Sequence, residues 1–191
     1  IVNLKYVDGE KWTGRYEDIF YLEGVEKKGL TIKYENGQVK EEGIIFNDQK
    51  VGRWTEYFEN GRRKNTGLYV KGLEHGKWYY WYKSGKKEKV GGYQNGNKDG
   101  TWKGWYFNGN KFFERNYKNG EKEGRWSWWY DNDNLKYSGY YSRGIKDGEW
   151  VEYGSDKKII IEGSYQDGVP FDGVFKGDYY FDGVKAEERI I

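Results

Sequence analysis

A strict internal repeat constrains this sequence more than any other feature. A Gly-x-Trp step returns every 24 residues, at Gly52-Arg-Trp54, Gly76-Lys-Trp78, Gly100-Thr-Trp102, Gly124-Arg-Trp126 and Gly148-Glu-Trp150. A column of tyrosines keeps the same spacing, at Tyr69, Tyr93, Tyr117, Tyr141 and Tyr165. A fixed period of this length indicates a tandem array in which each unit buries its apolar side chains against its neighbours.

Two turn signals divide each repeat. One is an Asn-Gly step, as at Asn60-Gly61, and this pair accepts positive φ at both central positions of a two-residue hairpin turn. The other is a Gly-x-x-x-Gly stretch, and there we expect positive φ at Gly96 and Gly120. Aromatic segments of strand length lie between the turns, so each repeat predicts one β-hairpin.

The spacing of the breakers sets the fold class. A Gly or an Asn-Gly step interrupts the chain at about every tenth residue, which excludes long helices. We therefore predict an all-β, elongated array, a single antiparallel β-sheet or solenoid of about eight tandem hairpins. No linker divides residues 1–191, so we expect one domain, with atypical units over 1–37, regular repeats over 38–157 and capping units over 158–191.

The repeat columns also predict how the array packs. The five Gly-x-Trp tryptophans occur in every regular unit, and we assign these rings, named the Trp ladder, to the core. A glycine stands two residues before four of the five repeat tyrosines, at Gly67, Gly91, Gly139 and Gly163. We expect these glycines to leave room for a ring from the adjoining strand, with Lys and Glu side chains covering the rings.

Composition excludes most site chemistry. The sequence has no Cys and a single His among 191 residues, and it has no apolar run long enough to cross a bilayer. The net charge of +2 argues against a nucleic-acid binder. We predict no catalytic residue, no metal and no cofactor. Because residue 1 is Ile, we expect a trimmed chain, by removal of a signal peptide or at a cloning boundary.

Three local clusters have plain structural interpretations. His75 sits in a predicted turn at 73–76, and its column holds Asp99, Glu123 and Asp147 in other repeats, so we interpret it as a polar turn residue. The stretch Asp131-Asn-Asp133 has a calcium-loop-like spacing, but it stands where other repeats have Asn-Gly and predicts a hairpin turn. The basic stretch Arg62-Arg-Lys64 predicts a solvated strand end.

Departures from the repeat consensus mark a candidate binding surface. Residues that every unit shares serve the array, whereas residues that a few units carry are free to serve a partner. By this rule we predict a partner-binding surface at Tyr80, Phe112, Phe113, Arg115 and Trp128. Arg115 stands where five of the six aligned repeats have Gly. Aromatic rings beside an Arg are typical of interface hot spots. The alternative is that these rings pack on one another across the sheet.

The repeat consensus, as in Lys98-Asp-Gly-Thr-Trp102 continuing to Asn108-Gly109, resembles the bacterial variant of MORN repeats. That resemblance implies antiparallel hairpins and a non-enzymatic, protein-binding scaffold, of which antitoxins and immunity proteins of toxin systems are examples. The resemblance to MORN repeats of eukaryotes implies phospholipid membranes as another class of ligand.

A second resemblance supports an alternative function. The segment Gly76-Lys-Trp-Tyr-Tyr-Trp-Tyr82 resembles the choline- and glucan-binding repeats of bacterial surface proteins. This resemblance implies a surface module that binds cell-wall or glycan ligands through aromatic stacking and cation–π contacts. Between the two, a protein partner such as a toxin is the leading expectation, and both an exported and a cytoplasmic location stay open.

Overall fold

A computed structural model describes the backbone of residues 5–7, 10–16, 19–22 and 25–186 and the side chains of residues 29–186. Within this part of the chain every regular element is a β-strand. The strands are β1 Lys5–Val7, β2 Glu10–Tyr16, β3 Ile19–Leu22, β4 Val25–Lys33, β5 Val39–Phe46, β6 Gln49–Tyr57, β7 Arg63–Val70, β8 Leu73–Trp81, β9 Lys87–Gln94, β10 Asn97–Trp105, β11 Lys111–Lys118, β12 Glu121–Trp129, β13 Leu135–Ser142, β14 Ile145–Tyr153, β15 Ile159–Gln166, β16 Val169–Phe175, β17 Asp178–Phe181 and β18 Val184–Lys185.

The chain divides into two compact units. The first unit comprises residues 1–86 and 93–96, and the second comprises residues 87–92 and 97–191. Within the first unit, each strand from β1 to β8 pairs with the next one in antiparallel fashion. Within the second unit, β10 to β18 do the same. The prediction of an all-β fold built from tandem antiparallel hairpins is therefore confirmed.

The Asn-Gly step does not form the two-residue turn that the sequence predicts. At Asn60-Gly61, the Gly61 N–H donates to the Phe58 carbonyl at 2.9 Å, and the Phe58 N–H donates to the Arg62 carbonyl at 2.8 Å. These bonds close a three-residue loop in which Gly61 has a φ of 76° and Asn60 does not have positive φ. The prediction of positive φ at both positions is wrong here, because such a loop needs one left-handed residue. The Asn60 Oδ1 instead accepts the Arg62 N–H at 3.2 Å.

The two-residue turn with paired positive φ lies at the other end of each hairpin. Asn95 and Gly96 have φ values of 52° and 80°, and Asn119 and Gly120 have values of 51° and 90°. The prediction of positive φ at Gly96 and Gly120 is confirmed. The second glycine of the stretch, Gly100, also has positive φ, at 74°. Glycine is favoured at these positions because it reaches positive φ without steric cost.

The core of each unit is a set of buried indole rings. Trp54 and Trp78 are 2% and 4% exposed in the first unit, and Trp102, Trp126 and Trp150 are between 2% and 5% exposed in the second. The assignment of the Trp ladder to packing is confirmed. Each indole Nε1–H also donates to a backbone carbonyl on the adjoining strand, so the polar atom of the buried ring is satisfied.

Glycine opposite a ring makes this packing possible at most positions of the ladder. A Cβ added at Gly67 would fall inside the ring of Trp78, and the same holds for Gly91 with Trp102 and for Gly139 with Trp150. At Gly163, an added Cβ would overlap the Asp172 carbonyl oxygen and lie 2.9 Å from the Phe175 ring, so backbone as well as ring requires a glycine there. The prediction that these glycines make room for an adjoining ring is confirmed at Gly67, Gly91 and Gly139.

The loops of successive hairpins are also tied together. The Asn36 side-chain amide donates to the Glu59 carbonyl, Asn60 to Lys83, and Asn108 to Asp131, each spanning 23 residues. The Tyr34, Tyr106 and Tyr130 hydroxyls donate to the carbonyls of Tyr57, Trp129 and Tyr153 across the same interval.

Some predictions concern residues outside the described range. Within the predicted atypical segment 1–37, Gly9 and Gly24 lie outside the described residues, and so do residues 187–191 of the predicted capping segment. The extent of a single array over residues 1–191 stays a prediction. The part of the chain that the structure describes contains no helix long and apolar enough to cross a membrane.

Candidate binding surface beside the Trp ladder

Tryptophan and tyrosine rings alternate along each unit and contact one another edge to face. In the first unit, Tyr69 lies between Trp54 and Trp78, with ring centroids 6.2 and 5.1 Å away. The series in the second unit has centroid separations of 5.0 to 5.9 Å and contains Tyr117, Trp126, Tyr141, Trp150, Tyr165 and Phe175. Aromatic pairs prefer this arrangement over face-to-face stacking. The rings therefore form a rigid base for the side chains beside them.

Lysine side chains cover the rings in the second unit. The Lys122 Nζ lies 5.1 Å from the Trp126 ring centroid and 4.6 Å from that of Tyr141. Lys98 and Lys146 occupy the equivalent positions one repeat earlier and one repeat later, with Nζ-to-centroid distances between 4.2 and 5.1 Å. The prediction that Lys side chains cover the rings is confirmed for these three.

Burial and neighbouring charges change the pKa values of Lys98 and Lys146. Burial lowers the pKa of Lys98, and the nearby positive charges of Arg115 and Lys89 lower it further. Burial also lowers the pKa of Lys146, where Glu152 opposes the shift and Lys122 adds to it. Neighbouring cations on this surface therefore lie close enough to repel one another.

Four of the predicted site residues pack together in the second unit. The Phe112 ring lies 4.6 Å from the Trp128 ring and 5.4 Å from the Phe113 ring, centroid to centroid. The carbon at the centre of the Arg115 guanidinium lies 4.0 Å from the ring centroids of both Phe113 and Trp128. These four residues, Phe112, Phe113, Arg115 and Trp128, are the Arg115 cluster. Phe113 is 9% exposed, whereas the other three are half-buried.

In the repeat that contains the cluster, the glycine that faces a large ring stands at a different position. Arg115 pairs with Trp126, at the position where the other repeats have a Gly under the ring. The Trp126 ring makes angles of 59° and 61° with its two tyrosine neighbours, against 89° and 88° for Tyr69–Trp78 and Tyr141–Trp150. The glycine that makes room for a ring here is Gly104, where an added Cβ would fall inside the Phe113 ring.

The Arg115 guanidinium has no hydrogen-bond or ion-pair partner in the part of the chain whose side chains the structure describes. Its Nε is buried and makes no hydrogen bond, and no carboxylate among residues 29–186 forms an ion pair with it. An unsatisfied buried donor costs about 1–3 kcal/mol. The two flanking rings offset part of that cost through cation–π contacts.

Tyr80, the fifth predicted residue, belongs to the first unit. Its ring stacks on that of Trp78 at a centroid distance of 6.2 Å, and its hydroxyl lies 3.3 Å from the Tyr93 hydroxyl. Burial, then the hydrogen bond to Tyr93, raises the pKa of Tyr80 strongly. Ring packing, the alternative left open by the sequence, accounts for these contacts and for those of the Arg115 cluster. Partner binding by the five residues stays a prediction.

The remaining candidate sites are structural. The sequence predicts His75 in a turn, and this prediction is wrong. His75 lies within β8, because the turn is complete at Gly72. The Asp131–Asp133 stretch forms a hairpin loop, which confirms the turn interpretation. The described residues contain no group of three or more His, Asp or Glu side chains arranged to hold a metal ion.

The basic stretch at 62–64 lies exposed at the start of β7, which confirms the prediction of a solvated strand end, and its three side chains also make surface contacts. Arg62 donates to the Ser84 carbonyl, Arg63 lies over the Trp81 ring at 5.4 Å, and the Lys64 Nζ lies 3.3 Å from a Glu56 carboxylate oxygen.

One element of the surface, a column of lysines, was not predicted from the sequence. The column that begins with Lys50 continues as Glu74, Lys98, Lys122 and Lys146 at the 24-residue period. The 24-residue period shows that these lysines share one column, but it does not show which of them have carboxylate partners. That information depends on cross-strand neighbours. The proximity of Phe112 to Trp128 was also not predictable. The register shift between Gly104 and Trp105 leaves Phe112 without a pairing partner on β10, and spacing along the chain does not reveal this shift.

The geometry defines a class of protein, a tandem β-hairpin repeat module with a buried aromatic ladder. Three consecutive segments of the second unit, residues 98–119, 122–143 and 146–167, match the MORN repeat variant. Each segment comprises two strands and the three-residue loop between them. Repeats of this type are generally modules that bind proteins or membranes. Among curated proteins, none matches the chain.

Proposed function

We propose that this protein is a non-enzymatic repeat scaffold that binds a protein partner through the Arg115 cluster. The single observation behind the proposal is that this cluster departs from the repeat where the array does not require it. The columns of Phe112 and Trp128 hold Lys64 and Glu56 in the first unit, and the ladder packs equally well there.

The chemistry of the cluster also supports a protein ligand. Half-buried rings around an Arg present apolar area and hydrogen-bond donors at one place, which is the composition of interface hot spots. A partner carbonyl or carboxylate would give the guanidinium an acceptor, which it lacks among residues 29–186.

An antitoxin or immunity role, implied by the resemblance to bacterial MORN variants, is the finer form of this proposal. It predicts that the partner is a toxin whose activity the purified chain inhibits. The alternative, a surface module that binds glycans, would have to use exposed rings such as Tyr79, Phe107 and Tyr140, because the ladder indoles are at most 5% exposed. We favour the protein ligand because the Arg115 cluster combines rings with hydrogen-bond donors.

The test uses variants that restore the repeat consensus. Phe112→Lys, Arg115→Gly and Trp128→Glu place residues in the cluster that other repeats already carry, so folding should be retained. We expect wild-type chain, immobilised as bait, to capture a partner from its native cells. Each variant should lower the affinity for that purified partner by about tenfold. Toxin inhibition, if that is the partner's activity, should fall in parallel.

Lys64→Ala is the matched control, because it changes the column of Phe112 in the other unit. It should bind as wild type does. Circular dichroism and the melting temperature verify that each variant is folded. Unchanged binding by all three folded cluster variants would place the interface elsewhere and overturn the proposal.

A further inference from the structure

Neutralisation of the lysine column differs between the two units. In the first unit, the Lys50 Nζ forms an ion pair with Glu41 at 2.8 Å. In the second unit, Lys98, Lys122 and Lys146 form no ion pair with any residue among 29–186. Arg115 shares this property. We name these four residues, Lys98, Arg115, Lys122 and Lys146, the basic row.

The charges of the basic row act together. Successive lysines are one repeat apart, which is two strands or about 10 Å. That spacing is about one Debye length at 0.1 M salt, so their potentials overlap. The mutual effects on pKa described above agree with this proximity. Glu152 is the acidic group that acts on Lys146, and Lys176 adds a further positive charge there.

The row is also held in place before any ligand arrives. Each Nζ lies over two aromatic rings, and the guanidinium lies between Phe113 and Trp128. A side chain that is already ordered loses less conformational entropy on binding. Fixed cations without carboxylate partners form a prepared site for anionic groups.

We propose that the basic row binds an acidic, extended segment of the protein partner, with a carboxylate at about every third residue. This inference rests on the proposed function and names the chemistry of its ligand. A polyproline II segment rises about 3.1 Å per residue, so every third side chain returns to one face after about 9 Å. That interval matches the spacing of the lysines.

Burial of the ladder favours a protein segment over a membrane surface. Stable membrane association needs apolar side chains that insert between lipids as well as basic residues. The indoles beneath the row are 2% to 5% exposed and have no surface to insert. A single line of cations also matches a linear ligand better than a plane of headgroups.

The test measures binding of a labelled peptide of about nine residues, with Glu at every third position in a Pro-rich background. We expect wild-type chain to bind it, with affinity that falls as salt is added. The triple variant Lys98→Gln/Lys122→Gln/Lys146→Gln should bind about ten- to a hundredfold more weakly, because each partly exposed ion pair contributes a factor of about two to five. Lys50→Gln is the matched control and should bind as wild type does.

Three results would overturn the inference. These are equal binding by wild type and the triple variant, equal binding of a peptide with Gln in place of Glu, and binding of phosphatidylserine vesicles without binding of the peptide. Circular dichroism confirms that each variant is folded. Failure of the peptide, with partner capture that still depends on the Arg115 cluster, would reject this inference alone. Failure of capture as well would reject the proposed function.

Discussion

The two units share one packing scheme and differ in what lies beside it. Both place tryptophans against glycines. In the first unit the adjacent columns are mostly polar, with Asn65 donating to Glu56 and Lys50 paired with Glu41, and Tyr80 is their aromatic member. In the second unit the columns of Asn65 and Glu56 hold Phe113, Trp128, Tyr137 and Ile161, together with Lys89, Gly104 and Glu152. The ladder is therefore independent of its neighbours, which are free to form either a polar network or an aromatic cluster.

The largest expected effect tests whether the ladder is equivalent in both units. We expect Trp78→Ala and Trp102→Ala each to lower the free energy of unfolding by about 3–5 kcal/mol, since both remove a buried indole and leave a cavity. Denaturant unfolding measures the change. Leu73→Ala, at a side chain 48% exposed, is the control and should change stability by about 0.5 kcal/mol or less. A large effect in one unit only would contradict the shared scheme.

An intermediate effect tests the exchange of glycine for arginine. Gly67→Ala places a Cβ inside the Trp78 ring, and we expect it to cost about 1–3 kcal/mol by overpacking. Arg115→Ala occupies the same repeat position under a ring that is already tilted, so it should cost about 1 kcal/mol or less. Equal costs for the two variants, measured by thermal unfolding, would show that the tilt of Trp126 does not create space.

The smallest expected effect concerns alkaline pH. Burial raises the pKa of Tyr69, in the first unit, and of Tyr137, in the second, from 10.0 to about 12. A raised pKa stabilises the fold below pH 10, and that stability is lost as the pH rises from 10 to 12. The lowered pKa of Lys98 has the opposite sign and adds stability as the pH rises towards 10.5.

Melting temperatures across this range separate the two contributions. We expect Tyr69→Phe to reduce the loss between pH 10 and 12, and Lys98→Met to remove part of the gain below pH 10.5. A Tyr69→Phe profile that runs parallel to wild type through this interval would contradict the assignment.

Repetition made much of the fold predictable from the sequence. Each column shows the same structural position several times, so the recurrence of glycine at 67, 91 and 139 predicted that a ring from the adjoining strand packs against the backbone there. Turn types were less predictable. Asn-Gly suits both a two-residue turn and a three-residue loop, and the choice depends on which carbonyl the preceding strand offers, as Phe58 does to Gly61.

The candidate site was predictable in membership and less so in arrangement. Comparison of columns identified Phe112, Arg115 and Trp128, because each departs from its column. Their mutual contacts depend on which residues face one another across strands, as Phe113 faces Trp128, and the pairing of Lys50 with Glu41 depends on cross-strand distance. Neither quantity is encoded by spacing along the chain.

The side-chain bonds between loops also constrain how such a chain changes over evolutionary time. Asn36, Asn60 and Asn108 each reach a carbonyl 23 residues ahead, and the Tyr34, Tyr106 and Tyr130 hydroxyls span the same interval. Insertion or deletion of one residue within a repeat would put both bonds out of phase with the next loop. Whole 24-residue blocks, by contrast, are gained or lost without disturbing either bond. The array is thus free to vary in length only in units of one repeat.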